Sequence, residues 1–193
     1  MTGGARQNGG PAGARSVLLA HRLPWPPQSG ADLRNWQNAE ALARAGATGF
    51  LGLSRETERP PCDGIVDWRV ASDRPLEVLP EANAADMLKW LRDPMGHPSD
   101  HWYSSVAEAE LCEMVARVEP DLVVIEHLWL QRYIPRLKEL GCRIVLDAHN
   151  LEGPLHEEVA SGRNDPFSAM FANRATAIEA AALESVDQVW ACS

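Results

Sequence analysis

An α/β fold built on a parallel sheet follows from three observations on this 193-residue sequence. Short apolar runs recur and stop at turn or polar residues. Helix-length stretches with apolar residues every third or fourth position lie between them. The length and a composition of 45% hydrophobic and 23% charged residues suit one globular domain and exclude wholesale disorder.

The elements follow in chain order. Ser16–Ala20 (SVLLA) is apolar throughout and stops at the Pro-rich loop His21–Gly30, as a parallel strand buried on both faces does. Ala31–Ala45 sets Leu33, Trp36, Ala39, Ala41, Leu42 and Ala45 near helical spacing, and Gly46 supplies the stop. Thr48–Ser54 predicts a second strand. Residues 55–79, with Pro60, Pro61 and Pro75, leave room for one strand near Val66–Ala71. Helices are expected over Glu81–Arg92 and Ser105–Val118, separated by the breaker-rich Asp93–His101. There Pro98 argues against His97 and His101 sharing a helical face, and Ser99 or Asp100 is the expected N-cap. Asp121–Glu126 (DLVVIE) is a strand, Leu128–Leu140 a helix despite Pro135, with Gly141 as its cap, and Arg143–Ala148 (RIVLDA) a strand. Phe167–Ser185 is an Ala-rich helix, and Gln188–Ala191 begins the last strand. This alternation, with right-handed crossovers, predicts a doubly wound, Rossmann-like sheet over residues 16–193. Its site is expected where the strands end, at the carboxyl edge. Residues 1–15, poor in apolar side chains, are expected to form a disordered tail.

Charge and cysteine usage narrow the partners. The 18 basic and 27 acidic side chains give a net charge of −9, without the clustered Lys and Arg that a nucleic-acid binder needs. No apolar run approaches a membrane span, and no secretory h-region opens the chain. Four cysteines without a C-x-x-C pair read as reduced thiols, so a cytoplasmic location is expected.

Chemistry-bearing residues gather at the expected strand ends. Gly30 precedes a helix whose first turns carry Asp32, Arg34 and Asn35, and a helix N-terminus suits a phosphate or a sugar hydroxyl. Glu126 and His127 close one strand, and Asp147, His149, Asn150 and Glu152 follow another. Residues two apart on a strand share a face, which places Asp147 beside His149. Such polar groups are costly at the ends of apolar strands unless they are satisfied or used. Asp147, His149, Glu152 and His156 also have donor atoms suited to a metal, although their spacing matches no standard ligand pattern. A nucleophile elbow, G-x-S-x-G, is missing from the sequence. Trp36, Trp90 and Trp129 read as core, and Trp25 sits in the first loop where it could stack on a sugar or base.

Five segments, in order, carry a family resemblance. They are R-L-P-W-P-P-Q-S-G-A-D-L-R-N-W (Arg22–Trp36), A-L-A-R-A-G (Ala41–Gly46), E-P-D-L-V-V-I-E-H (Glu119–His127), L-K-E-L-G-C-R-I-V-L-D-A-H-N-L-E (Leu137–Glu152) and E-S-V-D-Q-V-W-A-C-S (Glu184–Ser193). Together they resemble the N-terminal, acceptor-side domain of a family 4 glycosyltransferase of the GT-B fold. The resemblance implies sugar transfer from a nucleotide-sugar co-substrate to a glycan or small-molecule acceptor, with retention of configuration and without a metal or other cofactor. It implies that Ser29 and Gly30 lie beside the donor diphosphate, and that Arg34 and Asn35 make contacts at the helix start. His127 and His149 would line the acceptor cleft as catalytic residues, with Glu126, Asn150 and Glu152 binding substrate. The family's usual glycine pair is Ser29-Gly30 here. Its donor domain, with a basic pair and an E-x7-E motif, has no counterpart in these residues, so a second domain or subunit is implied as partner. Two other functions fit the same residues: a non-catalytic glycan- or partner-binding module, and a metal-dependent Rossmann-like enzyme.

Overall fold

The structure is a computed structural model that describes residues 13–54, 57–59, 62–71, 84–163 and 166–191. Six strands form one parallel sheet: β1 (Ser16–Ala20), β2 (Thr48–Gly52), β3 (Ile65–Val70), β4 (Leu122–Glu126), β5 (Ile144–Ala148) and β6 (Gln188–Ala191). Their spatial order is β3-β2-β1-β4-β5-β6. Strand order reverses beside β1, so the loops after β1 and β4 diverge and leave a crevice at the carboxyl edge. The doubly wound α/β expectation is met, and each expected strand is present within two residues at either end.

The period of two divides the strand residues between two cores. Val17, Leu19, Leu51, Val123, Ile125, Ile144 and Leu146 face α3 (Ser105–Val118), α4 (Ile134–Glu139) and α6 (Pro166–Ser185), which contribute Leu111 and Met114, Leu137, and Ile178 respectively. Leu18, Ala20, Phe50, Val124 and Val145 pack on the other face with Leu23 and with Trp36 and Ala39 of α1 (Gly30–Ala45). Burying each large aliphatic side chain contributes about 1.5–3 kcal/mol, so the two faces together hold the sheet between its helices. Among the described residues no helix is long and apolar enough to cross a membrane. Cys62, Cys112 and Cys142 are free thiols, and Cys192 lies outside the described residues.

Several boundaries differ from expectation for local physical reasons. The expected tail lies outside the described residues over 1–12, while Arg15 is joined to the body through hydrogen bonds to Asp121 (2.8 Å) and Glu119 (2.9 Å). The helix α2 covers Ala84–Arg92, and the expected 81–83 also lie outside. The expected helix over Leu128–Leu140 is two pieces, a 3-10 segment Leu128–Tyr133 and then α4. Pro135 has no N–H to continue the first piece but suits the opening turn of the second. Gly141, at φ 73°, ends α4 as expected. The cap before the 3-10 helix Pro98–Trp102 is His97 rather than Ser99 or Asp100: its Nδ1 accepts from the Ser99 N–H, and Asp100 accepts from the His97 N–H.

The unforeseen element is α5 (Glu152–Ser161), whose Gly153 and Pro154 read as loop residues. Both sit in the first turn, where Pro is tolerated. Glu179 of α6 accepts from the N–H groups of Glu152 (2.8 Å) and Gly153 (3.1 Å), so a neighbouring helix caps α5 where its own N-cap, Leu151, has no side chain to do so.

Tyr133 anchors the 3-10 helix Pro98–Trp102 to the core. Its buried hydroxyl donates to the Trp102 carbonyl (2.9 Å) and accepts from the Ser104 N–H (3.1 Å). Tyr133→Phe leaves both groups unpaired, and a loss of about 1–3 kcal/mol is expected in urea unfolding. Unfolding at the wild-type midpoint would show that water replaces the hydroxyl at no cost.

Candidate functional site

Register builds the polar end of the sheet. β4 and β5 pair Glu126 with Asp147, and both continue the row of Val124 and Val145 that faces α1. Both carboxyls are fully buried. Arg34 and Asn38, one turn apart on α1, close over them. Arg34 forms a two-pronged ion pair with both oxygens of Asp147, its Nε at 2.6 Å from Oδ2. The Asn38 amide donates to Glu126 Oε1 (2.9 Å) and to Asp147 Oδ2 (2.6 Å). The other Glu126 oxygen lies 3.1 Å from His149 Nε2, and Asp147 Oδ2 lies 3.8 Å from the same nitrogen. Burial raises the pKa of Glu126, aided by the adjacent Asp147 carboxylate. Burial acts on Asp147 in the same direction, but the hydrogen bonds and charge of Arg34 outweigh it and keep the carboxyl below its ordinary range.

His127 is the conformational exception at this edge. Its backbone lies at φ 86°, ψ 141°, a region that residues with a Cβ seldom occupy, and the strain costs about 1–3 kcal/mol. The surroundings hold it there: its N–H donates to the Asp147 carbonyl (3.0 Å), and its Nδ1 accepts from the Trp129 N–H (3.3 Å). Its Nε2 lies 3.4 Å from Glu152 Oε1. Burial, with repulsion from His21 and His149, lowers the His127 pKa to about 3, so the ring is neutral at ordinary pH. Burial raises the pKa of Glu152.

All six histidines of the chain join one run of rings around this edge. His101 and His21 flank Trp102 at 4.3 and 5.4 Å between ring centres, and His21 lies 6.0 Å from His127. His127 lies 5.3 Å from His149 and 5.5 Å from Trp129, which in turn contacts His97 (5.0 Å) and His156 (5.3 Å). Two cavities open beside the run. The larger, about 790 Å³, lies between His97–Trp102, His127–Trp129 and the helices α5 and α6, with Leu155, Val159 and Phe171 as its apolar wall. The smaller, about 430 Å³, lies at the start of α1 against Gly30, Leu33, Arg34 and Gln37. His127 and Asn150 line both.

The residues singled out from sequence divide into groups. His127, His149, Asn150, Glu152, Gly30 and Arg34 line one or both cavities. A Cβ at Gly30 would meet nothing within 4 Å, so the space before α1 is open. Glu126 is sealed beneath His149 and Asn38. Ser29 and Asn35 serve the first loop. Ser29 caps α1 and donates to Asp32 (2.8 Å), which also accepts from both prongs of Arg22. Buried Asn35 donates to the Arg22 carbonyl (3.2 Å). The four-residue metal set is split: Glu126, Asp147 and His149 have donor atoms within 4.8 Å of one another, while Glu152 faces His127 and His156. Arg34 and Asn38 already occupy the oxygens of Asp147, which leaves that carboxylate poorly suited to an ion. Trp129, read as core, is a cavity wall; Trp36 and Trp90 are buried, and exposed Trp25 packs edge-on against Trp36 at 4.5 Å.

His21, Asn38, His97 and Trp129 join the site without having been singled out for it. A signal for His21 was available, since it follows buried β1 as His127 follows β4. The role of Asn38 depends on which face of α1 meets the sheet, which its polar neighbours Gln37 and Glu40 obscure.

No protein-family model and no curated protein matches the sequence. Solved structures do align with the chain. The chain aligns with apo UGT2 of Phytolacca americana at a TM-score of 0.52 and 10% identity, over 93% of this chain and 46% of the other. The same protein complexed with UDP-2fluoro-glucose and pterostilbene gives 0.47 and 14%, over 80% and 37%. A UDP-glucosyltransferase from Polygonum tinctorium, capable of glucosylating indoxyl, gives 0.42 and 16%, over 80% and 34%. The chain thus spans less than half the length of these structures. At 10% identity the alignment with apo UGT2 shows a common fold, carried by about half of that longer chain.

Two outcomes follow from this geometry. His127→Gly relieves the backbone strain that His127→Ala retains, so the Gly variant should be the more stable of the two by about 1–2 kcal/mol in urea unfolding; the reverse order would remove the strain. His21 and His127 both fall from an ordinary 6.5 to about 3. The unfolded chain therefore binds more protons between pH 6.5 and 3, and stability should fall as pH is lowered through that window. His21→Gln should make the slope of unfolding midpoint against pH shallower, whereas an unchanged slope would locate the acid sensitivity elsewhere.

Proposed function

We propose that this chain is the acceptor-side domain of a glycosyltransferase, transferring a sugar from a nucleotide-sugar donor to a hydroxyl acceptor. The observation that carries the proposal is that His127 and Asn150 line both cavities, so the two spaces meet at one imidazole. One space opens at the N-terminus of α1, where the positive end of the helix dipole, the open position at Gly30 and the nearby Arg34 suit a donor diphosphate. The other is large, with an apolar wall and polar groups gathered at the His127 end, which suits an acceptor whose hydroxyl lies at that end. The sugar would pass between donor and acceptor at the junction.

Each residue then has a role. Neutral His127, held by Trp129 N–H and Glu152, faces the transferring sugar, and strain keeps its ring over the junction. His149, backed by Glu126, is the second imidazole at the same edge. Asn150 and Glu152 offer hydrogen bonds to acceptor hydroxyls. Leaving-group charge would be stabilised by α1 and by the basic pair of a donor domain, as in the family 4 resemblance, with retention of configuration and no metal. The similarity of fold to about half of the UGT2 chain supports the division into an acceptor side and a donor side.

The test is binding to the 193-residue chain, with 1-naphthol as acceptor probe and UDP-glucose as donor probe. Trp102 and Trp129 line the larger cavity, so naphthol binding should quench tryptophan fluorescence. Trp129→Ala should weaken that binding at least about tenfold, or about 1.4 kcal/mol. UDP-glucose should bind weakly by itself. Naphthol binding unaffected by Trp129→Ala, or rapid sugar transfer by this chain alone, would overturn the proposal.

A further inference from the structure

Helix α5 and the residue just beyond it border the larger cavity along one continuous stripe. Glu152, Leu155, His156, Val159, Ala160 and Arg163 all line it, at alternating steps of three and one that keep to a single helical face. At the helical rise of about 1.5 Å per residue the stripe is about 16 Å long. Its chemistry changes from end to end. At the start, buried Glu152 is already engaged: it accepts from Asn150 Nδ2 (3.2 Å) and lies 3.4 Å from His127 Nε2. In the middle, Leu155 and Val159 stay 42% and 48% exposed, facing the same space as Phe171 of α6. At the far end stands exposed Arg163, whose guanidinium has no hydrogen bond or ion pair among the described residues.

The charge of the cavity follows from these pairings. Two arginines and one carboxylate line it, in a chain whose net charge is −9. Arg22 gives both prongs to buried Asp32, and the other acids of α5, Glu157 and Glu158, lie off the stripe. Among the described residues, Arg163 is the lining cation that no acid answers. We propose that the larger cavity takes an elongated hydroxy acid: its carboxylate pairs with Arg163, its apolar body lies along Leu155 and Val159, and its hydroxyl reaches His127. A planar guanidinium matches the two oxygens of one carboxylate, whereas a phosphate dianion would call for further cations. The apolar body takes Leu155 and Val159 out of water, and the two polar ends fix which way round it lies. The hydroxyl end depends on the acceptor reading of this cavity, while the carboxylate end depends only on Arg163 and the apolar stripe.

The test is titration calorimetry on the 193-residue chain with two probes, ω-hydroxydodecanoate and the matching α,ω-dodecanediol, each below the concentration at which it self-associates. The acid should bind about threefold to tenfold tighter than the diol at low ionic strength, and about 0.5 M sodium chloride should remove that margin. Arg163→Gln should lower the acid to the affinity of the diol and leave the diol unchanged, and Arg163→Lys should keep part of the margin. Because Arg163 is exposed and its side chain holds no other group, both variants should unfold at the wild-type midpoint. Equal affinity for acid and diol, no binding of either, or a margin that survives Arg163→Gln would overturn the proposal. An Arg163-dependent margin in a chain whose 1-naphthol binding ignores Trp129→Ala would sustain the carboxylate site and remove only the acceptor reading.

Discussion

Two carboxyl groups buried in register, Glu126 and Asp147, set the terms for the rest of the carboxyl edge. An unpaired carboxylate in such a place costs several kcal/mol, so the fold must bring donors to it. Helix α1 does so with Arg34 and Asn38, and His149 completes the set from the same strand end as Asp147. This fixes the rotation of α1 about its axis. Trp36 and Ala39, on the same helix, then fall on the apolar face of the sheet, and Asp32 falls where it can gather Arg22, Gln28 and Ser29 into a closed loop. Core packing and site geometry are therefore consequences of one docking of α1.

The opposite wall of the crevice depends on weaker fastenings. The 3-10 helix Pro98–Trp102 is held by the Tyr133 hydroxyl and by Arg132, whose guanidinium reaches Asp93 and Asp100. Helix α5 is held by Glu179 and by the close approach of Gly153 to Thr176, where a Cβ would come within 2.7 Å of the hydroxyl. These two segments carry half of the larger cavity's lining residues. The division is physically sensible: the polar floor sits on rigid strands, and the apolar wall sits on helices whose anchors are a few hydrogen bonds each.

Much of the fold was legible because its signals are local. Six apolar runs end at turn or polar residues, and period alone separates them from the helices. Gly141 and Pro135 mark their turns through backbone constraints that act within a few residues. Helix α5 was not legible, since Gly153 and Pro154 carry loop signals and its cap comes from Glu179, 26 residues further along the chain. The site was legible in part. His127, His149, Asn150 and Glu152 stood out because polar residues end apolar strands, whereas Ser29 and Asn35 looked like ligands' partners and turn out to hold the first loop together.

The sequence by itself determined the alternation of strands and helices, the parallel sheet and the edge at which polar chemistry collects, because hydrophobic period and turn residues act over a few positions. Only the tertiary structure decided that Glu126 lies beside Asp147, that Asn38 spans them, that all six histidines meet around two tryptophans, and that His127 stands in a strained conformation between two cavities. Those relations join residues as much as 109 positions apart, and strand register and helix rotation alone bring them together.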